Sequence, residues 1–318
     1  MKPLKGRIAL VAGATRGAGR GIATMLGEAG ATVYCTGRSV RGRLASGDKR
    51  QETIDETAEL VTAKGGKGIA IRVDHSVEAE VVALCDRIRG EQGRLDILVN
   101  DIWGGEQLVE FGPPFWMQDP KKGQLMLERA IFTHLLTSRY AVPLMVEKNS
   151  GLVVEITDGD HFGYRGSLWY DLVKMTVIRL AFGMSRDLRR TNVTALAVTP
   201  GFLRSEEMLD AFGVTEATWR DGTKVDKDFI SSESPSFVGR AVAALAADPD
   251  VKAKAGRVFS SWDLAREYGF TDLDGSQPHW AEYFERTYGT PYNVAKDTAY
   301  TAWLNSPIDV VRPNWPTW

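Results

Sequence analysis

Short runs of Val, Ile, Leu and Ala recur along the chain, and between them apolar residues fall at helical spacing. The runs at 7–12, 32–36, 68–73, 95–100, 152–157, 193–198 and 257–260 predict seven β-strands. The stretches 19–29, 51–64, 78–92, 123–148, 168–189 and 236–247 predict helices. The strand runs are largely apolar throughout rather than at every second position, so both faces of the sheet must be covered. Strands alternating with helices predict a parallel sheet, and right-handed crossovers put helices on both sides of it. The expected architecture is therefore α/β and doubly wound. Three stretches break the alternation. Residues 39–50 form a polar, basic loop. Residues 101–122 carry Trp103, Phe111, Phe115 and Trp116. Residues 263–318 read as an irregular aromatic tail. The expected organisation is a nucleotide-binding catalytic domain over 1–262. The extension over 263–318 is expected to pack on that domain or on a neighbouring subunit.

Composition narrows the function class. Apolar residues make up 43% and charged residues 25% of the 318 positions, the balance of a globular chain with a sizeable core. A net charge of −2 argues against nucleic acid or an anionic membrane as the main partner. Cys35 and Cys85 do not form a CxxC pair, and the four histidines show no ligand spacing, so no metal is expected. The first apolar run is too short for a signal segment or a membrane span, which points to the cytoplasm.

The phrase Gly13-Ala14-Thr15-Arg16-Gly17-Ala18-Gly19 follows the first predicted strand and opens a helix. Glycine there lets the backbone turn tightly and approach a pyrophosphate, which the free N–H groups of the helix start then hold. A glycine-rich string alone is weak evidence, but its position after the first strand makes it a Rossmann-type nucleotide site. The second strand ends in Thr36-Gly37-Arg38-Ser39. NAD sites usually carry an acid here for the ribose 2′-hydroxyl. This chain offers Arg38, with Arg16 in the glycine loop, and guanidinium suits a 2′-phosphate. The expected cofactor is NADP(H). Arg41 and Arg43 either assist or sit in a solvated basic loop.

Tyr170 and Lys174 lie four apart, one helical turn, on one helix face. A phenol ordinarily titrates near 10, and a neighbouring ammonium favours its ionised form. Such a phenol serves as general acid or base. The glycine loop, Asp74 after the third strand, Asn100 ending the fourth, the Tyr170/Lys174 pair and Pro200-Gly201 follow in order. In combination these resemble the compact, single-domain branch of the short-chain dehydrogenase/reductase family over residues 5–262. The phrases Ala31-Thr32-Val33-Tyr34, Gly93-Arg94-Leu95-Asp96 and Asp263-Leu264-Ala265-Arg266 add to the resemblance.

The resemblance implies roles for single positions. Asp74 would meet the adenine amino group, or merely cap its loop. Asn100 would hold the nucleotide and the central strands. Tyr170 would protonate a carbonyl, and Lys174 would bind the nicotinamide ribose. Pro200, Gly201, Leu203 and Ser205 would cover the nicotinamide. The family's serine, thirteen residues before the tyrosine, falls on Thr157, or on Asp158 when aligned by the strand; Thr157 is preferred. The family's helix asparagine is replaced by His134, either a proton relay or a packed ring. Trp103, Asp158, His161, Tyr164 and Phe202 are candidate substrate contacts, with Phe115, Trp116, Asp160, Phe162 and Trp219 as further possibilities. The implied substrate is a small carbonyl or alcohol, and the implied assembly is a homodimer or homotetramer. Two other readings stay open: a nucleotide sensor without turnover, and an epimerase or dehydratase.

Overall fold

The computed structural model describes residues 2–45, 50–161, 163–289 and 292. Seven strands form one parallel sheet: β1 (Ile8–Ala12), β2 (Thr32–Gly37), β3 (Lys67–Arg72), β4 (Ile97–Asn100), β5 (Gly151–Ile156), β6 (Val193–Thr199) and β7 (Val258–Ser260). Their order across the sheet is β3-β2-β1-β4-β5-β6-β7. The order reverses between β1 and β4, which opens a crevice at the C-terminal ends of the strands.

Every residue of β1 is buried, because helices cover both faces. Ala9 and Val11 point into one core, with Ile22 and Leu26 of α1 (Gly17–Glu28), Val61 of α2 (Ile54–Ala63) and Val238 of α8 (Pro235–Ala247). Ile8 and Leu10 point into the other, with Leu84 and Ile88 of α3 (Glu78–Gln92) and Leu144 of α5 (Thr133–Val146). One-residue alternation therefore serves two cores, which is why the strand runs read as continuous.

The helix expected over 123–148 is one unbroken helical run that a wide turn divides into two segments. α4 (Pro120–Leu127) starts at an Asp119 cap, and α5 follows after a π-turn at Glu128–Phe132. That wide turn brings Glu128, Arg129 and Thr133 onto the cleft wall. α6 (Leu168–Asp187) carries Tyr170 and Lys174, and α7 (Glu206–Ala211) follows β6. Within the tail expected to be irregular, α9 (Ser261–Tyr268) and α10 (Trp280–Tyr288) are helical. Trp280, Tyr283, Phe284 and Tyr288 of α10 repeat at three and four residues, and Trp280 packs on Phe202. Among the described residues, no helix is long and apolar enough to cross a membrane.

Candidate active site

A cleft of about 900 Å³ opens at the strand ends, between the glycine turn on one side and the Tyr170 helix on the other. The glycine turn is shaped by sterics. Gly13 has φ +94°, and a Cβ there would lie 2.4 Å from the Asp101 carbonyl oxygen. A Cβ on Gly19 would lie 2.3 Å from the Gly13 carbonyl oxygen. Neither position admits a side chain. The turn thus packs directly against the Asp101 backbone after β4, leaving Gly13, Thr15, Arg16, Gly17 and Ala18 lining the cleft. The first amide of α1, on Gly17, donates to the Glu206 carboxylate at 2.7 Å. An anion thus already occupies the helix start, as the dipole and unpaired N–H groups favour.

Arg38, half-buried at the end of β2, lines the cleft and makes no ion pair among the described residues. Arg16 lies 3.6 Å from Glu52. Arg41 is exposed and paired with Glu59 at 2.9 Å, and neither it nor Arg43 lines the cleft. Asp74 lines the cleft while accepting from the Ser76 amide at 3.0 Å, so it caps its own loop as well. Pro200, Gly201, Phe202, Leu203 and Ser205 form the far wall. Glu233 holds that wall from below, accepting from Gly201 N at 2.9 Å and Ser261 Oγ at 2.6 Å.

At the catalytic end, Tyr170 and Lys174 both line the cleft. The Lys174 ammonium rests on the Trp103 ring, 4.3 Å from its centroid. Trp103 and Phe111 meet Tyr170 edge-on, at 5.6 and 5.8 Å. The Tyr170 hydroxyl donates to Asp158 Oδ2 at 2.5 Å. Burial, and then the Asp158 carboxylate, push Tyr170 well above its ordinary range, opposite to the lowering expected from Lys174 alone. Burial also lowers Lys174, against the pull of Asp158, Asp101 and Glu106. Asp101 itself is pushed up to about 7 by burial, relieved in part by Lys174 and His134.

Thr157 lines the cleft next to Asp158. Its hydroxyl donates to the Lys174 backbone carbonyl at 2.7 Å, so β5 and α6 are tied there and the hydroxyl is committed. Asp158, one residue on, is the side chain that reaches Tyr170. His134 does not line the cleft, and both its ring nitrogens are taken. Nε2 meets the Ile102 carbonyl at 2.9 Å and Nδ1 meets Glu155 at 2.6 Å. A carbonyl only accepts, so Nε2 carries the hydrogen. One further proton is shared between Nδ1 and Glu155. Asn100 completes this buried group, donating to Glu155 Oε1 at 2.7 Å and Ser138 Oγ at 3.0 Å. The geometry makes His134 a brace between β5 and the Trp103 loop, and leaves neither nitrogen to hold a relay water.

His161 and Tyr164 lie off the cleft: His161 meets Tyr292 edge-on, and Tyr164 is exposed. Asp160 is buried, while Phe115 and Trp116 are exposed. Trp219 is buried under the Arg204 guanidinium. Phe162 falls outside the described residues. Arg165, Glu155, Asp101 and Glu106 carry much of the site, yet none stands out in the sequence. Arg165 donates to the carbonyls of Asp158 at 2.5 Å, Gly159 at 3.0 Å and His161 at 3.2 Å, and pairs with Asp171 at 2.9 Å. Its one signal is a lone arginine in a glycine-rich loop.

With this geometry in view, the short chain dehydrogenase family model matches residues 7–213. The chain belongs to the short-chain dehydrogenase/reductase family. It is 35% identical over 309 residues to dehydrogenase/reductase SDR family member 1 of Mus musculus, covering 96% of this chain and 93% of that one. The Homo sapiens counterpart is 33% identical over 277 residues, covering 86% and 85%. A short chain dehydrogenase from Mycobacterium thermoresistibile shares the fold with a TM-score of 0.72 at 20% identity, covering 87% and 92%. A hydroxysteroid dehydrogenase from Escherichia coli does so with a TM-score of 0.64 at 21% identity, covering 81% and 96%. The chain is accordingly an oxidoreductase by family.

Two buried carboxyls near the family site give the fold a pH dependence. Burial pushes Glu233 up to about 8 and Asp160 up to about 7. Both bind a proton more tightly folded than unfolded, so stability falls as pH rises through their folded values. Burial holds His75 down to about 3, so below its ordinary 6.5 it offsets the loss from one carboxyl without reversing the slope. The free energy of unfolding, and with it the thermal midpoint, is therefore expected to fall from pH 6.5 to about 8, each carboxyl contributing up to about 1.4 kcal/mol per pH unit until its folded value is passed. Calorimetry across that range checks it, and Glu233→Gln should flatten the upper part.

Proposed function

We propose that this protein is an NADP(H)-dependent oxidoreductase that moves a hydride between the nicotinamide and a carbonyl or alcohol carbon. The observation that carries this reading is one cleft that joins the glycine turn to the Tyr170 phenol and the Lys174 ammonium. The nicotinamide, when bound, supplies or takes the hydride. The chain does the rest. Gly17 and its neighbours seat the pyrophosphate, Lys174 binds the ribose hydroxyls, and Tyr170 gives a proton to the substrate oxygen. A phenol held above its ordinary range stays protonated near neutrality, which favours reduction over alcohol oxidation. Purified protein with NADPH should consume cofactor with a ketone or aldehyde. No consumption across a broad carbonyl panel, with cofactor binding intact, refutes the proposal.

The preference for NADP rests on Arg38, a half-buried cation without an ion-pair partner among the described residues, where an NAD site carries an acid. At equal concentration NADP is expected to raise the melting temperature more than NAD. Arg38→Ala should erase that difference, since a charge-assisted hydrogen bond contributes about 1.5–3 kcal/mol. Equal shifts with both cofactors in the unmodified protein would remove the basis for the NADP assignment.

A further inference from the structure

We infer that the substrate end of this cleft is built for an α-amino ketone, or the matching vicinal amino alcohol, with the ammonium on Asp158 and the oxygen on Tyr170. The inference rests on the hydride-transfer reading above and narrows it to one substrate class.

The Tyr170 hydroxyl and Asp158 Oδ2 are 2.5 Å apart, and both residues line the cleft. Two polar atoms in contact address two substrate atoms on neighbouring carbons. A phenol has one hydrogen to give. When Tyr170 turns it toward a substrate oxygen, Asp158 loses the hydrogen bond its carboxylate has in this structure. A carboxylate left beside an oxygen that is gaining negative charge opposes the reaction. A neutral ketone offers nothing to correct this.

The chain corrects it only in part, because the charge Lys174 offers Asp158 is shared with Asp101 and Glu106. The Thr157 hydroxyl is committed to the Lys174 carbonyl. Arg165 reaches Asp158 through the backbone carbonyl and directs its other donors to Asp171, Gly159 and His161. A substrate ammonium supplies what is missing.

The walls suit such a group. Trp103 and Phe111 flank Tyr170. The Trp103 face already takes one ammonium, that of Lys174 at 4.3 Å. Aromatic faces with a carboxylate between them attract a cation more than a hydroxyl. In the reduction, a hydride and its electron pair go to the carbonyl carbon. The C=O π pair moves to oxygen, and Tyr170 gives its proton to that oxygen. The ammonium keeps its protons and neutralises Asp158 throughout. Tyr170 then regains a proton from solvent.

The test compares α-aminoacetophenone, α-hydroxyacetophenone and acetophenone with NADPH. The amino ketone should exceed acetophenone in kcat/KM by about tenfold to hundredfold, the hydroxy ketone falling between them. Asp158→Asn should remove that advantage, bringing the ratio of amino-ketone to acetophenone kcat/KM to about one whatever it does to either rate alone. Asp158→Ser, with a smaller side chain, repeats the test should the amide disturb packing. Calorimetry supplies a second readout: phenylethanolamine, but not 1-phenylethanol, should bind the Asp158→Asn protein about tenfold or more weaker than the unmodified protein, with oxidised NADP present. Equal turnover of amino ketone and acetophenone overturns the inference and leaves hydride transfer standing. Turnover of none of the three, with NADPH bound, counts against hydride transfer, and the calorimetric pair then decides the cation site alone. Unchanged phenylethanolamine affinity in Asp158→Asn overturns it.

Discussion

Tyr170→Phe lowers kcat/KM by about 10²–10⁴-fold, the usual contribution of a positioned proton donor, while NADP(H) binding stays within a few-fold. The ring survives the change, so the edge contacts to Trp103 and Phe111 remain. What disappears is the hydroxyl that meets Asp158 and faces the substrate. The fold should hold, because the phenol bonds one partner that also lines the solvent-filled cleft. Steady-state kinetics with an accepted carbonyl and a cofactor titration measure the two halves separately. A variant retaining more than a tenth of the turnover would mean that Asp158 or solvent delivers the proton instead.

Glu155→Ala destabilises the protein by about 3–5 kcal/mol, the cost of breaking a buried pair by removing one member. Glu155 is the penultimate residue of β5 and has no exposed surface. Its carboxylate receives the Asn100 amide and meets the His134 ring. Removing it orphans His134 Nδ1 and leaves the Asn100 amide with Ser138 alone, and an orphaned buried polar group costs more than the bond itself contributed. The double variant Glu155→Ala/His134→Ala should therefore lose less than the sum of the two single losses. Urea denaturation checks this, and a single-variant loss under about 1 kcal/mol would show that the group is not a structural brace.

Much of this was legible in the sequence because local backbone demands leave local marks. The turn from Gly13 to Gly19 needs residues without Cβ, and the Tyr170/Lys174 spacing is one helical turn; both read directly from neighbours in the chain. The parallel sheet read well for the same reason, its strands being buried on both faces. What escaped was whatever depends on pairing across distance. The choice between Thr157 and Asp158 turns on where β5 ends, which is set by the Thr157 bond to Lys174 across the fold. His134 stayed open between relay and packed ring because its partner, Glu155, sits on another element. The π-turn at Glu128–Phe132 inserts one residue of phase that a helical period does not announce. The α10 stripe was present in the sequence, but its density of aromatic residues masked the period.

Arg165 fixes the loop between β5 and α6 from within, with its five partners all drawn from Asp158 to Asp171. That wall is a self-contained cassette: a contiguous piece of chain that carries its own template and takes its shape without waiting for a guest. The loop that carries Phe115, Trp116 and Met117 is held in the same manner, Gln118 donating to the carbonyls of Glu110 at 3.4 Å and Pro113 at 3.0 Å. Each loop is thus moulded by one long side chain from its own stretch of sequence.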